Sequence, residues 1–264
     1  MKNVLVLGSG AREVAIVRSI SQSLIENSIF CISKDINPQI NDLCKDYFVA
    51  DFGATNDVLA YSKEKEIDLA IIGPENPLAD GVVNALELVG IQCVGPKKEV
   101  AMIETSKAFA RTIIDLCSPE KNPKRKEFSS TDGVKSFIGQ LGEEYVIKFD
   151  GLMGGKGVRV SGEHLKNINE GLAYANEIVE GGGKFLIEEK LVGEEFSLMS
   201  FVDGKTCKHM PVVQDHKRAY EGDAGPNTGG MGTYSFENHS LPFLSEKNVK
   251  EAQETNELVA KQLF

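Results

Sequence analysis

Residues 143 to 160 read EEYVIKFDGLMGGKGVRV, and the reading of this stretch decides how the rest of the chain divides. The apolar run around Lys148 has the length and composition of a buried strand, and GVRVS has those of a second strand. Between them lies a glycine loop carrying Lys156. A loop ending in Gly155-Lys156 invites comparison with the Walker pattern GxxxxGK[ST], whose hydroxyl holds magnesium. The pattern fails, because Gly157 stands where Ser or Thr is needed and Asp150 stands at the first glycine. The remaining reading is a hairpin. Lys148 ends the first strand, residues 151 to 157 form a flexible lid, and such a lid excludes water from phosphoryl transfer when it folds over a polyphosphate.

Working outward, a helix around GVKSFIGQL precedes the hairpin, while a helix around INEGLAYANEIVE and a strand KFLIEEKL follow it. This is a small α+β module. Upstream, SPEKNPKRKEFSS breaks the pattern with prolines and charges and reads as a domain entrance. Before it comes a single helical stretch, KKEVAMIETSKAFARTIIDLC. The first hundred residues have another rhythm: NVLVL, SIFCIS, YFVA, IDLAIIG and IQCVG alternate with helical patterns, as in a doubly wound α/β sheet. In the first helix Ala15, Ile16, Ile20 and Leu24 recur at helical spacing. The boundaries expected are 1–104 and 105–264, with a lid subdomain at about 122–190. Beyond it, EEFSLMSFVDG reads as a strand, residues 214 to 235 as an irregular polar loop, and the last stretch as a helix.

Composition limits the partners. The chain has 264 residues, is 41% hydrophobic and carries a net charge of −10, which disfavours a general nucleic-acid binder. No apolar run reaches membrane-spanning length. The five cysteines are scattered without a zinc pattern, and a cytoplasmic location with small-molecule partners is expected.

Several residues stand where chemistry is plausible on residue type and position. Gly8, Ser9 and Gly10 make a strand-to-helix turn with Arg12 beside it, yet Glu13 replaces the third glycine of a dinucleotide fingerprint. The turn therefore reads either as a phosphate cradle or as a plain tight turn. GPENPLADG places Glu75 after a buried strand, either as a hydroxyl-binding carboxylate or in a proline-rich loop. Lys148 faces phosphates or blunts a sheet edge. Glu188, Leu191 and Glu195 lie around the end of a strand, where an adenine and its ribose can be read or where acids are simply solvated. QDHKRAYEGDAGPNTGGMGTYS concentrates Asp215, His216, Lys217, Arg218, Asn227, Thr228, Gly229 and Gly230.

VLVLGSGARE, GPENPLADGVV, VGPKKEVAMIETSKAFAR, VIKFDGLMGGKGV, IEEKLVGEEFS and above all QDHKRAYEGDAGPNTGGMGTYS resemble the phosphoribosylamine–glycine ligase family of the ATP-grasp superfamily over nearly the whole chain. The resemblance implies an N-terminal doubly wound domain followed by an ATP-grasp domain. It implies ligation of glycine to 5-phosphoribosylamine in purine biosynthesis, with ATP and Mg2+ or Mn2+, by way of a glycyl phosphate. Lys107, Lys148, Gly154, Gly155, Lys156 and Gly157 would serve the ATP phosphates, Glu188 and Leu191 the adenine, and Glu195 the ribose. Gly10, Arg12 and Glu75 would lie on the phosphoribosylamine side. Asp215, Lys217, Arg218 and Asn227 to Gly230 would close the acceptor site, and a monomer without nucleic-acid or membrane partners is expected.

Two departures accompany the resemblance. The family usually has a histidine where this chain has Val14, and its metal-binding strand and C-terminal domain are expected beyond Phe264, so no metal ligand is nominated. A nucleotide-binding fragment without activity, and a carboxylase-type ATP-grasp enzyme, are the alternatives to the ligase. A dinucleotide-dependent dehydrogenase rests on the first forty residues alone.

Overall fold

The computed structural model describes residues 1–51, 53–142, 144–153, 156–222 and 224–264, and the chain separates into two compact units, Met1–Thr105 and Ser106–Phe264. In the first, β1 (Lys2–Leu7), α1 (Ala11–Ser21), β2 (Asn27–Ser33), α2 (Pro38–Asn41), β3 (Asp46–Val49), α3 (Thr55–Glu64), β4 (Leu69–Ile72), α4 (Glu75–Asp80), α5 (Val82–Leu88), β5 (Gln92–Val94) and α6 (Lys98–Thr105) follow in order. The five strands form one parallel sheet ordered β3-β2-β1-β4-β5. Strand alternation sorts its side chains onto two faces. Leu5, Leu7, Phe30 and Ile32 pack with Val58 of α3 and Val82, Val83 and Leu86 of α5. Val6, Ile29 and Cys31 pack with Val17 of α1 and Ile40 of α2, and Val14 joins this second cluster. Layers on both faces explain why the strands are apolar throughout.

The strand order reverses between β1 and β4. That reversal opens a crevice at their carboxyl ends, where the turn after β1 and the start of α4 lie, and ligands of open α/β sheets bind at such a point.

In the second unit, α7 (Lys107–Cys117), a short 3-10 turn (Pro119–Lys121), β6 (Arg125–Phe128), α8 (Val134–Leu141), β7 (Tyr145–Phe149), β8 (Val158–Val160), α9 (Ile168–Glu180) and β9 (Phe185–Glu189) come first. The strands form an antiparallel sheet ordered β6-β9-β7-β8. Tyr145, Ile147, Phe185 and Ile187 face α8 and α9 in one core with Phe128, Val134, Ile138, Ala175 and Ile178. By period two, Lys148 and Glu188 point to the opposite face. The rest comprises β10 (Ser200–Val202) paired with β11 (Cys207–His209), β12 (Gln214–Tyr220) paired with β13 (Ala224–Tyr234), and α10 (Glu246–Leu263) against α7.

Six local expectations change. Helix α1 stops at Ser21 because Asn27 Nδ2 takes the Ile20 carbonyl at 3.1 Å, so Leu24 is fully exposed and Val17, not the Ala15–Leu24 row, is the buried anchor. GPENPLADG holds helix α4, ended by Gly81 in the left-handed region. The single helix expected over 97–117 is two, divided at Ser106, whose hydroxyl accepts from Phe109 N at 3.1 Å and caps α7. KRKEF is strand β6 rather than part of a linker: Phe128 is buried on Phe185 at 5.4 Å between rings, while Arg125 pairs with Asp115 at 2.6 Å, the charged pattern of an edge strand. Also, Gln214–Tyr220 and Ala224–Tyr234 form an antiparallel ladder, with irregularities around Arg218, in place of an irregular loop. The strand expected over 194–204 narrows to β10.

Phe185 sits under both helices of the second unit's core and is 1% exposed. Phe185→Ala should destabilise this unit by about 3–5 kcal/mol, measured by chemical denaturation, because the cavity adds to the lost transfer free energy.

Candidate functional site

The glycine hairpin is fastened at its base. Asp150 accepts from Ala108 N at 3.1 Å and from the Ser106 hydroxyl at 3.2 Å, so its carboxylate sits on the N-terminus of α7. Lys107 Nζ donates to the Gly151 carbonyl at 2.9 Å. A side chain at Gly151 would meet the Phe149 ring at 2.5 Å, so the chain can leave β7 this closely only as glycine. On the far limb, Phe149 N donates to the Gly157 carbonyl at 2.8 Å, and Lys156 N to the Met153 carbonyl at 3.0 Å. Gly154 and Gly155 lie outside the described residues.

Beside this base lies a buried carboxylate between two cations. Glu188 is 2% exposed. Arg111 grips it through two bonds, Nε to Oε1 at 2.7 Å and Nη2 to Oε2 at 2.8 Å. Lys148 Nζ stands 2.7 Å from the same Oε2. Burial pushes the Glu188 carboxyl up, but Arg111 and Lys148 together outweigh it and hold the group below its ordinary value. The Glu188 side chain thus faces inward and is fully engaged, so it offers no free carboxylate to a ligand, while Leu191 is exposed. Lys107 and Arg111 are four apart on α7 and share a face. With Lys148 they make a cationic end over the sheet.

The β12–β13 hairpin has its own charge pattern. Lys217 pairs with Glu195 and stands 3.7 Å from Asp215 Oδ2, and Glu195 raises its pKa. Arg218 instead reaches Glu163 at 2.6 Å and donates to the Gly225 carbonyl at 2.9 Å. Glu163 also meets Lys190 at 3.5 Å, and chiefly Arg218 lowers its pKa. Thr228 Oγ1 donates to the Lys217 carbonyl at 2.9 Å and accepts from Gly230 N at 3.0 Å. Asn227, opposite Arg218, and Gly229 are exposed on the same ladder.

In the first unit, Glu13 is the residue that closes the turn after β1. It is 3% exposed, and its Oε2 accepts from Gly10 N at 2.6 Å while Oε1 accepts from Arg12 Nε at 3.0 Å. A Cβ at Gly73 would fall 2.0 Å from that carboxylate, so glycine after β4 makes room for it. The Gly10 N–H is therefore already used and is not a free donor for a phosphate. Arg12 remains half exposed, with Nη1 3.3 Å from Glu75 Oε1, which joins the ends of β1 and β4 at the crevice.

The structure thus brings together Lys148 with Glu188, Lys107 with Gly151, Glu195 with Lys217 and Asp215, and Arg12 with Glu75. Arg111, Glu163, Asp150 and Glu13 were not singled out by the sequence as ligand-facing or positioning residues. Only Arg111 left a trace, in its spacing from Lys107. Among the described residues, no group of three or more His, Cys, Asp and Glu side chains is placed to hold a metal ion. No helix among them is long and apolar enough to cross a membrane.

A parallel α/β unit followed by an antiparallel unit with a glycine hairpin tied to Lys107 is the architecture of the ATP-grasp class. The sequence profile of the phosphoribosylglycinamide synthetase N domain matches residues 2–104, and that of the ATP-grasp (A) domain of the same synthetase matches residues 105–263. The chain belongs to the phosphoribosylglycinamide synthetase family. Phosphoribosylamine–glycine ligase of Methanococcoides burtonii is 44% identical over 252 residues, covering 96% of this chain and 58% of its own length. That of Methanocaldococcus jannaschii is 45% identical over 267 residues, covering 98% and 60%. The crystal structure of phosphoribosylamine–glycine ligase from Thermotoga maritima superposes with a TM-score of 0.77 at 25% identity, over 99% of this chain and 60% of that one. The chain therefore spans somewhat over half the length of these relatives.

The depressed pKa of Glu188 has a signed consequence. An unfolded Glu titrates near ~4.3, so the stabilisation from this carboxylate is complete above that pH and is lost as pH falls through the lower native value. Glu188→Gln should flatten the loss of stability below about pH 4, followed by denaturant unfolding at each pH.

Proposed function

We propose that the chain takes part in the ATP-dependent joining of glycine to 5-phosphoribosylamine, giving glycinamide ribonucleotide, ADP and phosphate. The observation that carries this reading is kinship of 44–45% with proteins named as that ligase, sustained over both units. The cationic end formed by Lys107, Arg111 and Lys148 supports the use of a nucleoside triphosphate as co-substrate.

The chemistry is two displacements. A glycine carboxylate oxygen attacks the γ-phosphorus and the bond to the β-phosphate oxygen breaks, leaving ADP and glycyl phosphate. The amine of phosphoribosylamine then attacks the glycyl carbonyl, loses a proton, and expels phosphate. Through both steps the protein positions and neutralises. Lys148, already anchored on one side by Glu188, and Lys107, anchored by the Gly151 carbonyl, present fixed positive charge to the oxygens that gain charge in the first transition state. The 151–157 loop would cover them, and Leu191 and Glu195 would border the nucleoside. Arg12 and Glu75 would hold the phosphoribosyl group, while Asp215, Lys217, Arg218 and the Asn227–Gly230 stretch would face the acceptor. The chemistry of a divalent cation is to neutralise the phosphate chain, and no step here is assigned to a metal ligand. The same reading makes the protein a cytoplasmic monomer acting on small molecules.

The test is ADP release by the chain with MgATP, glycine and freshly generated phosphoribosylamine, with mass spectrometry for glycinamide ribonucleotide. Product dependent on all three substrates is expected, and Lys148→Ala should lower the rate by about 10²-fold or more without changing the circular dichroism spectrum. Product formation unaffected by that substitution removes Lys148 from the site; ADP release independent of glycine removes the ligase reading.

A further inference from the structure

We infer that Arg111 is a positioning residue that sets the charge of the polyphosphate site: it neutralises Glu188 so that the positive charge of Lys148 remains available to an incoming polyanion. The inference rests on the reading that the Lys148 side of the glycine hairpin receives phosphates.

The argument starts from charge balance. A carboxylate 2% exposed has almost no water to solvate it, so its charge must be met by its neighbours. Were Lys148 its sole partner, the 2.7 Å pair would be neutral and a phosphate would have to compete with Glu188 for the ammonium. Arg111 changes the sum. Its guanidinium occupies both carboxylate oxygens, at 2.7 and 2.8 Å, and shares Oε2 with Lys148. Two cations on one anion leave one positive charge over. The neighbouring Arg125–Asp115 pair, at 2.6 Å, is balanced in itself and leaves that surplus unchanged.

Placement decides which cation faces a ligand. Arg111 is committed to the carboxylate by a bidentate bond, the geometry in which a guanidinium is strongest. It is also fixed from behind: Asn122 Nδ2 donates to the Arg111 carbonyl at 2.8 Å, and Asn122 Oδ1 lies 3.5 Å from Nη1. Lys148 touches one oxygen with one of its three donors, and its side chain is 25% exposed, so its free N–H groups can turn to solvent or to a phosphate. A lysine at position 111 could neutralise Glu188 but not grip both oxygens, so charge and geometry are separable.

The experiment is isothermal titration calorimetry of inorganic tripolyphosphate into the 264-residue chain and its variants, with circular dichroism melting of each. Tripolyphosphate carries no base or ribose, so it reads the phosphate side alone. Arg111→Met should weaken binding about tenfold or more, because Lys148 is then neutralised by Glu188. Arg111→Lys should recover a large part of the loss. Removing both charges, Arg111→Met with Glu188→Gln, restores one surplus positive charge and should bring affinity back to within a few-fold of the original chain. Glu188→Gln alone should bind more tightly than the original chain.

A merely structural Arg111 gives a different pattern, in which the double variant binds as weakly as Arg111→Met or more weakly; that result overturns the inference. Should Arg111→Met fail to fold, comparison of the double variant with the original chain carries the test, since neither leaves an unpaired carboxylate: affinity within a few-fold is expected, and a loss of about tenfold or more overturns the inference. Tripolyphosphate binding lost on Lys148→Met but indifferent to every Arg111 variant overturns this inference and leaves the ligase reading intact. Binding indifferent to Lys148 as well overturns this inference and removes Lys148 from the phosphate site.

Discussion

A carboxylate that cannot reach water is the constraint around which the second unit's candidate site is arranged. Glu188 lies on a strand whose alternate residues must fill the core with Phe185 and Ile187, so period two sends it to the other face. There it is covered, and its charge requires partners. Lys148, on the adjacent strand β7, and Arg111, on α7, supply them. One buried charge therefore ties a helix to two strands and fixes the height at which the Lys148 ammonium stands. Removing it would lose more than a contact, because two cations would then face each other without the carboxylate between them.

The same logic governs the glycine hairpin. Its base is fixed by Asp150 on the N-terminus of α7 and by Lys107 on the Gly151 carbonyl. Both anchors come from the helix that also carries Arg111. Residues 106 to 111 thus hold the hairpin and the buried carboxylate together, and the helix break at Ser106 is what turns the α7 N-terminus toward Asp150.

Much of this architecture was legible in the sequence, for reasons that can be stated. The parallel sheet of the first unit was readable because both of its faces are covered, so its strands are short continuous apolar runs. The glycine hairpin was readable because its flanking strands are apolar and its glycines are grouped. Strand β6 was not, since an edge strand with one buried residue, Phe128, looks like a charged linker. The β12–β13 ladder was hidden because its residues are largely exposed and polar, and Gly, Pro and Asn are poor strand formers judged without their partner. Lys148 was nominated from its place at the end of a strand before the glycine loop, Lys107 by resemblance, and Glu188 from its place at a strand end. The contacts among them were not legible, because Arg111 and Glu188 are 77 residues apart in sequence and only the fold makes them neighbours.

Glu13 shows how such an interaction can mislead a motif. Read as a failed third glycine, it argues against a phosphate turn; in the fold it reaches back beneath the turn and takes the Gly10 N–H itself. The donor that a dinucleotide-binding turn offers to a pyrophosphate is here spent on a carboxylate of the protein. The half-exposed cation beside this turn is Arg12, which Glu13 and Glu75 orient from two sides at 3.0 and 3.3 Å. Both units thus use a similar device. A carboxylate with little exposure, supplied from the next turn or strand, aims a cation that would otherwise sample many rotamers, so part of the entropic cost of ordering that side chain is met in folding rather than at binding.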